Sequence, residues 1–313
     1  MGSLEIRDFS VPDLEGVIGV LTASFSEEAA FWGFDVKEAP KMLRLYRMAL
    51  ALQKVAGLRF KFFVAKVAGE VVGTTMIESR RHFAYLEAVA VHPAHRGQGI
   101  ARALVSQAIQ EAFSWGLDRV VLRVREDNLP AKRLYLSLGF QPFECILTLA
   151  RESGESISPT SLPPGLRLLR VGGNDPRLGK MLESARDPKA REVYGPPKRP
   201  SPLARALSSL GGGKEEWAIL LEDNAPLGFY QVWGRKEGPV RLRVELVPDF
   251  RGQGLGEVLL AQAVSRGASL GKRLVFQTNA EQKELLEGAF RRGFTEAFAE
   301  ESMVLFKGAH VPV

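Results

Sequence analysis

The hexapeptide Arg96-Gly97-Gln98-Gly99-Ile100-Ala101 returns later in the chain as Arg251-Gly252-Gln253-Gly254-Leu255-Gly256. Each copy lies between an apolar, strand-like run and an amphipathic, helix-like run. Glycines let a backbone close tightly around a ligand, and the helix that follows offers amide donors with no partner inside the helix. Such a turn binds anions, phosphate above all. Two common phosphate turns do not fit. Neither copy ends in Gly-Lys-Ser/Thr, so a nucleoside-triphosphate loop is disfavoured. The strands before the turn read as an antiparallel meander, which removes the parallel βαβ context that a dinucleotide fingerprint needs.

The elements that must position these turns follow the same order twice. Leu4-Glu5-Ile6-Arg7 alternates as a half-buried strand does, and Val17, Ile18, Leu21 and Phe25 share one helix face after Pro12. Met42, Leu45, Tyr46, Ala49 and Leu52 form a second helical stripe. Phe60 to Val67 and Val71 to Ile77 read as strands joined by Ala68-Gly69-Glu70, and Tyr85 to Val91 leads into the first glycine turn. Beyond it come a helix through Leu104, Val105, Ala108 and Ala112, a strand from Arg119 to Arg125, a helix from Asn128 to Leu138, and a closing strand from Phe143 to Leu149. Residues 151–165, rich in Ser, Pro and Gly, read as a linker, after which the order restarts at Leu166. The stretch from Asp187 to Pro202, crowded with proline and charge, reads as a surface loop.

A chain of 313 residues suits two domains, and the repeat divides it into near-equal halves, 1–150 and 166–313. With 45% apolar and 25% charged residues it is globular rather than disordered. No run reaches the roughly 20 apolar residues of a membrane span, and the first residues lack the build of a secretory signal, so the expected location is the cytoplasm. Cys145 is the only cysteine, and His82, His92, His95 and His310 lack the carboxylates of a zinc signature, so no metal is expected. The net charge of +6 could suit nucleic acid, but the cations are scattered without interleaved aromatics, and a small polyanion accounts for the excess as readily.

After the first turn, helix and strand comes Asn128-Leu129-Pro130-Ala131-Lys132-Arg133-Leu134-Tyr135-Leu136-Ser137-Leu138-Gly139-Phe140. With this segment the chain resembles the GNAT family of acetyl-coenzyme A-dependent N-acyltransferases. The family pattern Arg/Gln-x-x-Gly-x-Gly/Ala is met at Arg96, Gly99 and Ala101 and again at Arg251, Gly254 and Gly256, and the resemblance extends over nearly the whole chain as two tandem domains. It implies an α/β (α+β) fold in which each domain is a mixed, mostly antiparallel sheet flanked by helices. It implies further that the amides of Arg96, Gly97, Gln98, Gly99, Ile100 and Ala101 hold the coenzyme pyrophosphate. Val89, Ala90 and Val91, in a strand that splays from its parallel neighbour, would offer backbone groups to pantetheine and to the thioester carbonyl. Asn128 would lie near the pantetheine arm, and Tyr135 would protonate the departing thiolate.

The acceptor must be a free amine, because a protonated nitrogen has no lone pair, and some base must take its proton. Glu87 is the first candidate, on the expectation that it shares a strand face with Val89; Glu78 and His82 are weaker ones. In the second half the turn formed by Arg251, Gly252, Gln253, Gly254, Leu255 and Gly256 is intact and could hold a second coenzyme. The tyrosine position there falls on Ala289, and Asn279 is a poor match in spacing for Asn128. Alanine cannot protonate a thiolate. The expectation is therefore a catalytic first half and a degenerate second half, a polarity opposite to that of the mycothiol-synthase-like members of the family.

Leu122-Arg123-Val124-Arg125 with the Asn128 to Tyr135 segment is similar to members that acetylate peptide or ribosomal-protein N-termini, so the acceptor is either a peptide α-amine or a small-molecule amine. A non-catalytic coenzyme A-binding module is the alternative, against which Tyr135 speaks. A monomer is expected, its two halves supplying a contact that single-domain relatives make by dimerising.

Overall fold

In the computed structural model, which describes residues 3–32, 59–154, 161–195, 214–234 and 238–309, the alternating runs are strands and the stripes are helices. The first half contains β1 (Leu4–Asp8), α1 (Leu14–Trp32), β2 (Phe60–Val67), β3 (Glu70–Ser79) and β4 (Ala84–Val91). These lead into α2 (Ile100–Ser114), β5 (Arg119–Arg125), α3 (Leu129–Ser137) and β6 (Gln141–Arg151). The second half contains β7 (Leu166–Val171), α4 (Pro176–Ala185), α5 (Pro188–Tyr194), β8 (Lys214–Glu222), β9 (Ala225–Gly234) and β10 (Val240–Leu246). It ends with α6 (Leu255–Ala268), β11 (Leu274–Asn279), α7 (Lys283–Arg291) and β12 (Thr295–Phe306). The stripe from Met42 to Leu52 lies outside the described residues. Among the described residues no helix is long and apolar enough to cross a membrane.

The chain folds as two units. The first comprises Met1–Val124, Asn128–Pro142 and Ser302–Val313; the second comprises Arg125–Asp127 and Phe143–Glu301. In the first, β1, β2, β3 and β4 are successively antiparallel, and β5 lies parallel to β4. The hairpin between β2 and β3 turns on Ala68 and Gly69, both at positive φ (51° and 86°), a mirror-type turn whose twist suits adjacent strands. Asp223 and Asn224 repeat it between β8 and β9, with φ of 48° and 93°. α2 presents Leu104, Val105, Ala108 and Ala112, all fully buried, to one face of the first sheet. In the second unit, β7, β8, β9 and β10 are antiparallel and β11 runs parallel to β10.

Two segments depart from the sequence reading. The strand expected to close the first half is formed, but β6 pairs antiparallel with β11, from Leu274 opposite Arg151 to Asn279 opposite Ile146, and Leu149 is buried in the core of the second unit. The first unit is completed instead by the C-terminal part of β12, next to β5: Lys307 N donates to Asp118 O at 2.7 Å, Arg119 lies over the Phe306 ring, and Met303 and Leu305 join the core. An alternating strand carries no label for its partner, only for its buried face. The other departure is α5, which occupies part of the expected loop from Asp187 to Pro202. Asp187 caps it by accepting from Ala190 N at 2.8 Å, and Pro188 takes a first-turn position where its missing N–H costs nothing. Residues 196–202 lie outside the described residues.

Because Met303 is fully buried and Leu305 is 5% exposed in the first unit, a chain ended at Arg151 would lack part of that core and leave β5 with an open edge. Such a truncation is expected to lose cooperative thermal unfolding by circular dichroism. A sharp transition in the isolated first half would contradict the strand assignment.

Candidate active site

The first glycine turn is open to a ligand. Gly97 and Gly99 have φ of 77° and 78°, in the left-handed region that side chains with a Cβ rarely adopt, and Gly99 is the N-cap of α2. The first internal bond of the helix runs from Ala103 N to Gly99 O at 3.1 Å, so the amides of Ile100, Ala101 and Arg102 precede it. Arg96, Gly97, Gln98 and Gly99 are exposed, and nothing lies within 4 Å of a Cβ placed on either glycine. Arg96 itself anchors the turn: its Nε donates to Val91 O at 3.2 Å, fixing the end of β4 against the loop. Gly73 on β3 allows α2 to lie close, since a Cβ there would come within 3.1 Å of both Ala90 O and Leu104 Cδ1.

β4 leaves its parallel neighbour early. The register with β5 covers only Ala84 opposite Val120 and Tyr85 opposite Val121, so the strand from Leu86 onward diverges from β5. Against β3 the pairing slips between Thr74 and Met76, and the extra residue in β4 includes Ala88 at φ 53°. This is a β-bulge. It corrects the expectation that Glu87 and Val89 share a face. Leu86 before the bulge and Val89 and Val91 after it all pack on the core beneath α2, whereas Glu87 faces the other way with Tyr85 and Glu78. The bulge consumes one step of the alternation.

On that opposite face Glu87 is half-buried beside Glu78 and Arg80. Arg80 Nη2 lies 3.6 Å from Glu87 Oε1, forms a closer ion pair with Glu78, and stacks over the Tyr85 ring at 5.7 Å. Burial first, and then the neighbouring Glu78 carboxylate, push the Glu87 carboxyl up to about 7, with Arg80 opposing the rise. A carboxyl so poised changes charge near neutral pH, where a general base is most effective. The role of Arg80 was not read from the sequence; the signal available was the hairpin register that sets Glu78 opposite Tyr85. His82, the weaker candidate, lies within electrostatic reach of Asp118.

Tyr135 lies on α3, 6% exposed, with its ring edge-on to Phe140 at 5.8 Å. Burial raises its hydroxyl to about 12, which keeps the proton in place at neutral pH. Asn128 caps α3 by accepting from Ala131 N at 3.2 Å, leaving its amide nitrogen available. The first unit thus contains Glu87, Val89, Ala90, Val91, the turn from Arg96 to Ala101, Asn128 and Tyr135. The second turn belongs to the other unit.

That second turn has the same backbone, with Gly252 and Gly254 at φ 74° and 79°, but different surroundings. Glu284 on α7 reaches into it and accepts from Gly252 N at 2.8 Å, Gly256 N at 3.0 Å and Glu257 N at 3.4 Å. Arg251 is turned to Ala185 O. β10 pairs with β9 without any slip, so the bulge of β4 has no counterpart. Ala289 stands where Tyr135 stands: Phe294 N donates to Ala289 O at 3.1 Å as Phe140 N does to Tyr135 O at 3.0 Å. The equivalent of Asn128 is Gln282, the N-cap of α7, at φ −83° and ψ 67° against −81° and 66° for Asn128. Asn279, the candidate weighed from spacing, instead accepts from Glu281 N.

Residues 25–140 match the profile of the Acetyltransferase (GNAT) family. Over 87 residues the chain is 39% identical to an acetyltransferase of Pectobacterium atrosepticum, covering 27% of this chain and 60% of the relative. Over 92 residues it is 38% identical to an acetyltransferase of Sodalis glossinidius, covering 29% of this chain and 63% of that relative. The chain therefore spans less than two thirds of the length of these curated relatives. Among solved structures it is similar to a GCN5-related N-acetyltransferase from Sphaerobacter thermophilus (TM-score 0.68, 15% identity, 99% of this chain and 98% of that one). It is likewise similar to a tandem GNAT protein from the clavulanic acid biosynthesis pathway (TM-score 0.64, 16% identity, 98% of this chain and all of that one). At such identities the likeness is one of fold.

The raised Glu87 carboxyl fixes the sign of a stability effect. Below the ordinary carboxylate range the group is neutral in both folded and unfolded chains, and above about pH 7 its ionised form is the one the fold disfavours. Glu87→Gln is expected to raise the melting temperature relative to the parent at pH 8 and to leave it nearly unchanged at pH 4. Carbon-13 NMR of the Glu87 carboxyl should show a midpoint near 7. A midpoint in the ordinary glutamate range would remove the argument for Glu87 as a base.

Proposed function

We propose that this chain, whose residues 25–140 match the GNAT acetyltransferase family, transfers an acetyl group from acetyl-coenzyme A to a primary amine in its first unit. The observation that carries this reading is the company kept in one unit: an unobstructed anion turn at Arg96–Ala101, a strand diverging from its neighbour, a carboxyl held near 7 and a buried tyrosine that keeps its proton.

The coenzyme supplies the activated thioester. The amides from Gly97 to Arg102 bind the pyrophosphate, helped by the helix dipole. Backbone groups between Val89 and Val91, past the point where β4 leaves β5, receive the pantetheine arm, and Asn128 lies along it. A donor aimed at the thioester oxygen stabilises the charge that develops there as the amine attacks. Glu87, in its ionised form, takes the proton of the incoming amine, directly or through water, and Arg80 and Glu78 hold it in place. The nitrogen forms a bond to the acetyl carbon, the carbon–sulfur bond breaks, and Tyr135 hands its proton to the departing thiolate. In this reading donor and acceptor meet along β4, past its divergence from β5, with the bulge at Ala88 returning Val89 and Val91 to the core while Glu87 stays on the opposite face.

The acceptor is proposed as a small-molecule amine or a peptide α-amine. Glu78 on β3, Glu87 on β4 and Arg80 just past the end of β3 form one charged cluster, which favours a polar amine.

Thiol release measured with acetyl-coenzyme A and a panel of amines tests the reading. Glu87→Gln should lower kcat/KM by roughly 10²–10⁴-fold and remove the limb of the pH profile that rises through about 7. Tyr135→Phe should lower kcat by a comparable order, about 10²-fold or more, with little change in KM for the coenzyme. Coenzyme binding without thiol release for any amine would support a binding module in place of an enzyme.

A further inference from the structure

The two glycine turns share sequence and backbone but not what their amides face. In the first, the amides at the start of α2 are open. In the second, one carboxylate accepts from three amides of the turn, at 2.8, 3.0 and 3.4 Å from Gly252, Gly256 and Glu257. A carboxylate bridging several backbone amides at a helix N-terminus is what a bound phosphate would otherwise supply. We propose that Glu284 is a built-in ligand of the second turn, occupying it in place of a pyrophosphate, so that the chain carries one coenzyme site and not two. The proposal rests on reading the first turn as the pyrophosphate site.

Independent features of the second turn point the same way. The residue equivalent to Glu284, two past the N-cap of the matching helix, is Pro130 in the first unit, a side chain that cannot reach or accept. Where the first turn has Ala101 the second has Gly256, and a Cβ there would come within 3.0 Å of Leu285 and 3.2 Å of the Glu284 carboxylate. The glycine makes room for the glutamate. Charges at several corresponding positions also differ. Arg102, in the first turn of α2, corresponds to Glu257, while Lys132 and Arg133 on α3 correspond to Leu286 and Glu287 on α7.

Glu257 in turn binds Arg291 at 2.6 Å and Arg292 at 2.9 Å, so α7 is tied to α6 at both of its ends. Phosphate arriving here would meet a cradle already filled by a carboxylate. In the first unit the corresponding helix pair is joined by Arg102 to Ser137 at 2.6 Å, and Pro130 in the place of Glu284 offers the turn no carboxylate.

The test uses the full chain labelled with nitrogen-15 and titrated with inorganic pyrophosphate, and calorimetry with coenzyme A. In the parent protein, pyrophosphate should shift the amides of Gly97 and Gly99 and leave those of Gly252 and Gly256 unmoved, with one coenzyme bound per chain. In Glu284→Ala the amides of Gly252 and Gly256 should become responsive, with affinity for pyrophosphate at the second turn raised about tenfold or more, the scale of a lost charge-assisted contact. Glu284→Gln, which preserves the shape of the side chain, serves if the alanine variant does not fold, and should show a gain in the same direction.

Shifts at Gly252 and Gly256 in the parent equal to those at Gly97 and Gly99 would overturn the proposal. So would a folded Glu284 variant whose second turn stays silent. Silence at Gly97 and Gly99 would instead count against the reading of the first turn, and leaves the Glu284 comparison to be judged on its own amides.

Discussion

The unpaired amides at the head of a helix are the constraint on which both halves of this protein are built. A turn of two left-handed glycines delivers the chain into α2 or α6 with several donors pointing outward and no carbonyl to receive them. Their demand for negative charge can be met by water, by a ligand or by the protein itself. The first unit offers the turn no carboxylate equivalent to Glu284 and has Arg102, Lys132 and Arg133 at the positions of Glu257, Leu286 and Glu287. The second answers it internally with Glu284 and replaces those cations. One motif thus keeps its amides free of a protein carboxylate in one place and meets such a carboxylate in the other.

Around the open turn the sheet is arranged to leave room. β4 is held by β3 along most of its length but parts from β5 after Tyr85, and the bulge at Ala88 reverses the direction of the side chains that follow. Val89 and Val91 can then complete the core under α2 while Glu87 stays on the opposite face, where burial and the Glu78 charge lift its carboxyl to about 7. β10 runs without such a slip. The bulged strand therefore belongs to the unit that also retains the tyrosine.

Much of this was legible in the residues. The paired hexapeptides, the hairpin at Ala68-Gly69 and the inner face of α2 follow from local rules of backbone and periodicity, and the structure bears them out, while Ala289, matched to Tyr135 through the family motif, takes the corresponding backbone position. Less legible were features in which a local pattern has two equally good outcomes. Asn279 and Gln282 compete as the match for Asn128, and only the capping dihedrals decide for Gln282. The proline-rich stretch after Asp187 carries loop and helix-start signals together, and the capping bond to Ala190 favours the helix as far as Tyr194.

By itself the sequence determined the element order, the repeated anion turn and the asymmetry of the two halves, because glycine φ angles, helix stripes and the presence or absence of a phenol are properties of short segments. Tertiary structure alone decided that Glu87 and Val89 lie on opposite faces, since one inserted residue in β4 inverts an alternation that looks regular in the string. It decided that β6 pairs with β11 and that the end of β12 completes the first unit, because hydrogen-bonding edges are chemically alike and only packing chooses between them. It also decided what fills the second turn: Glu284 lies about thirty residues away along the chain, and its carboxylate meets the amides of Gly252 and Gly256 only once α7 is folded against α6.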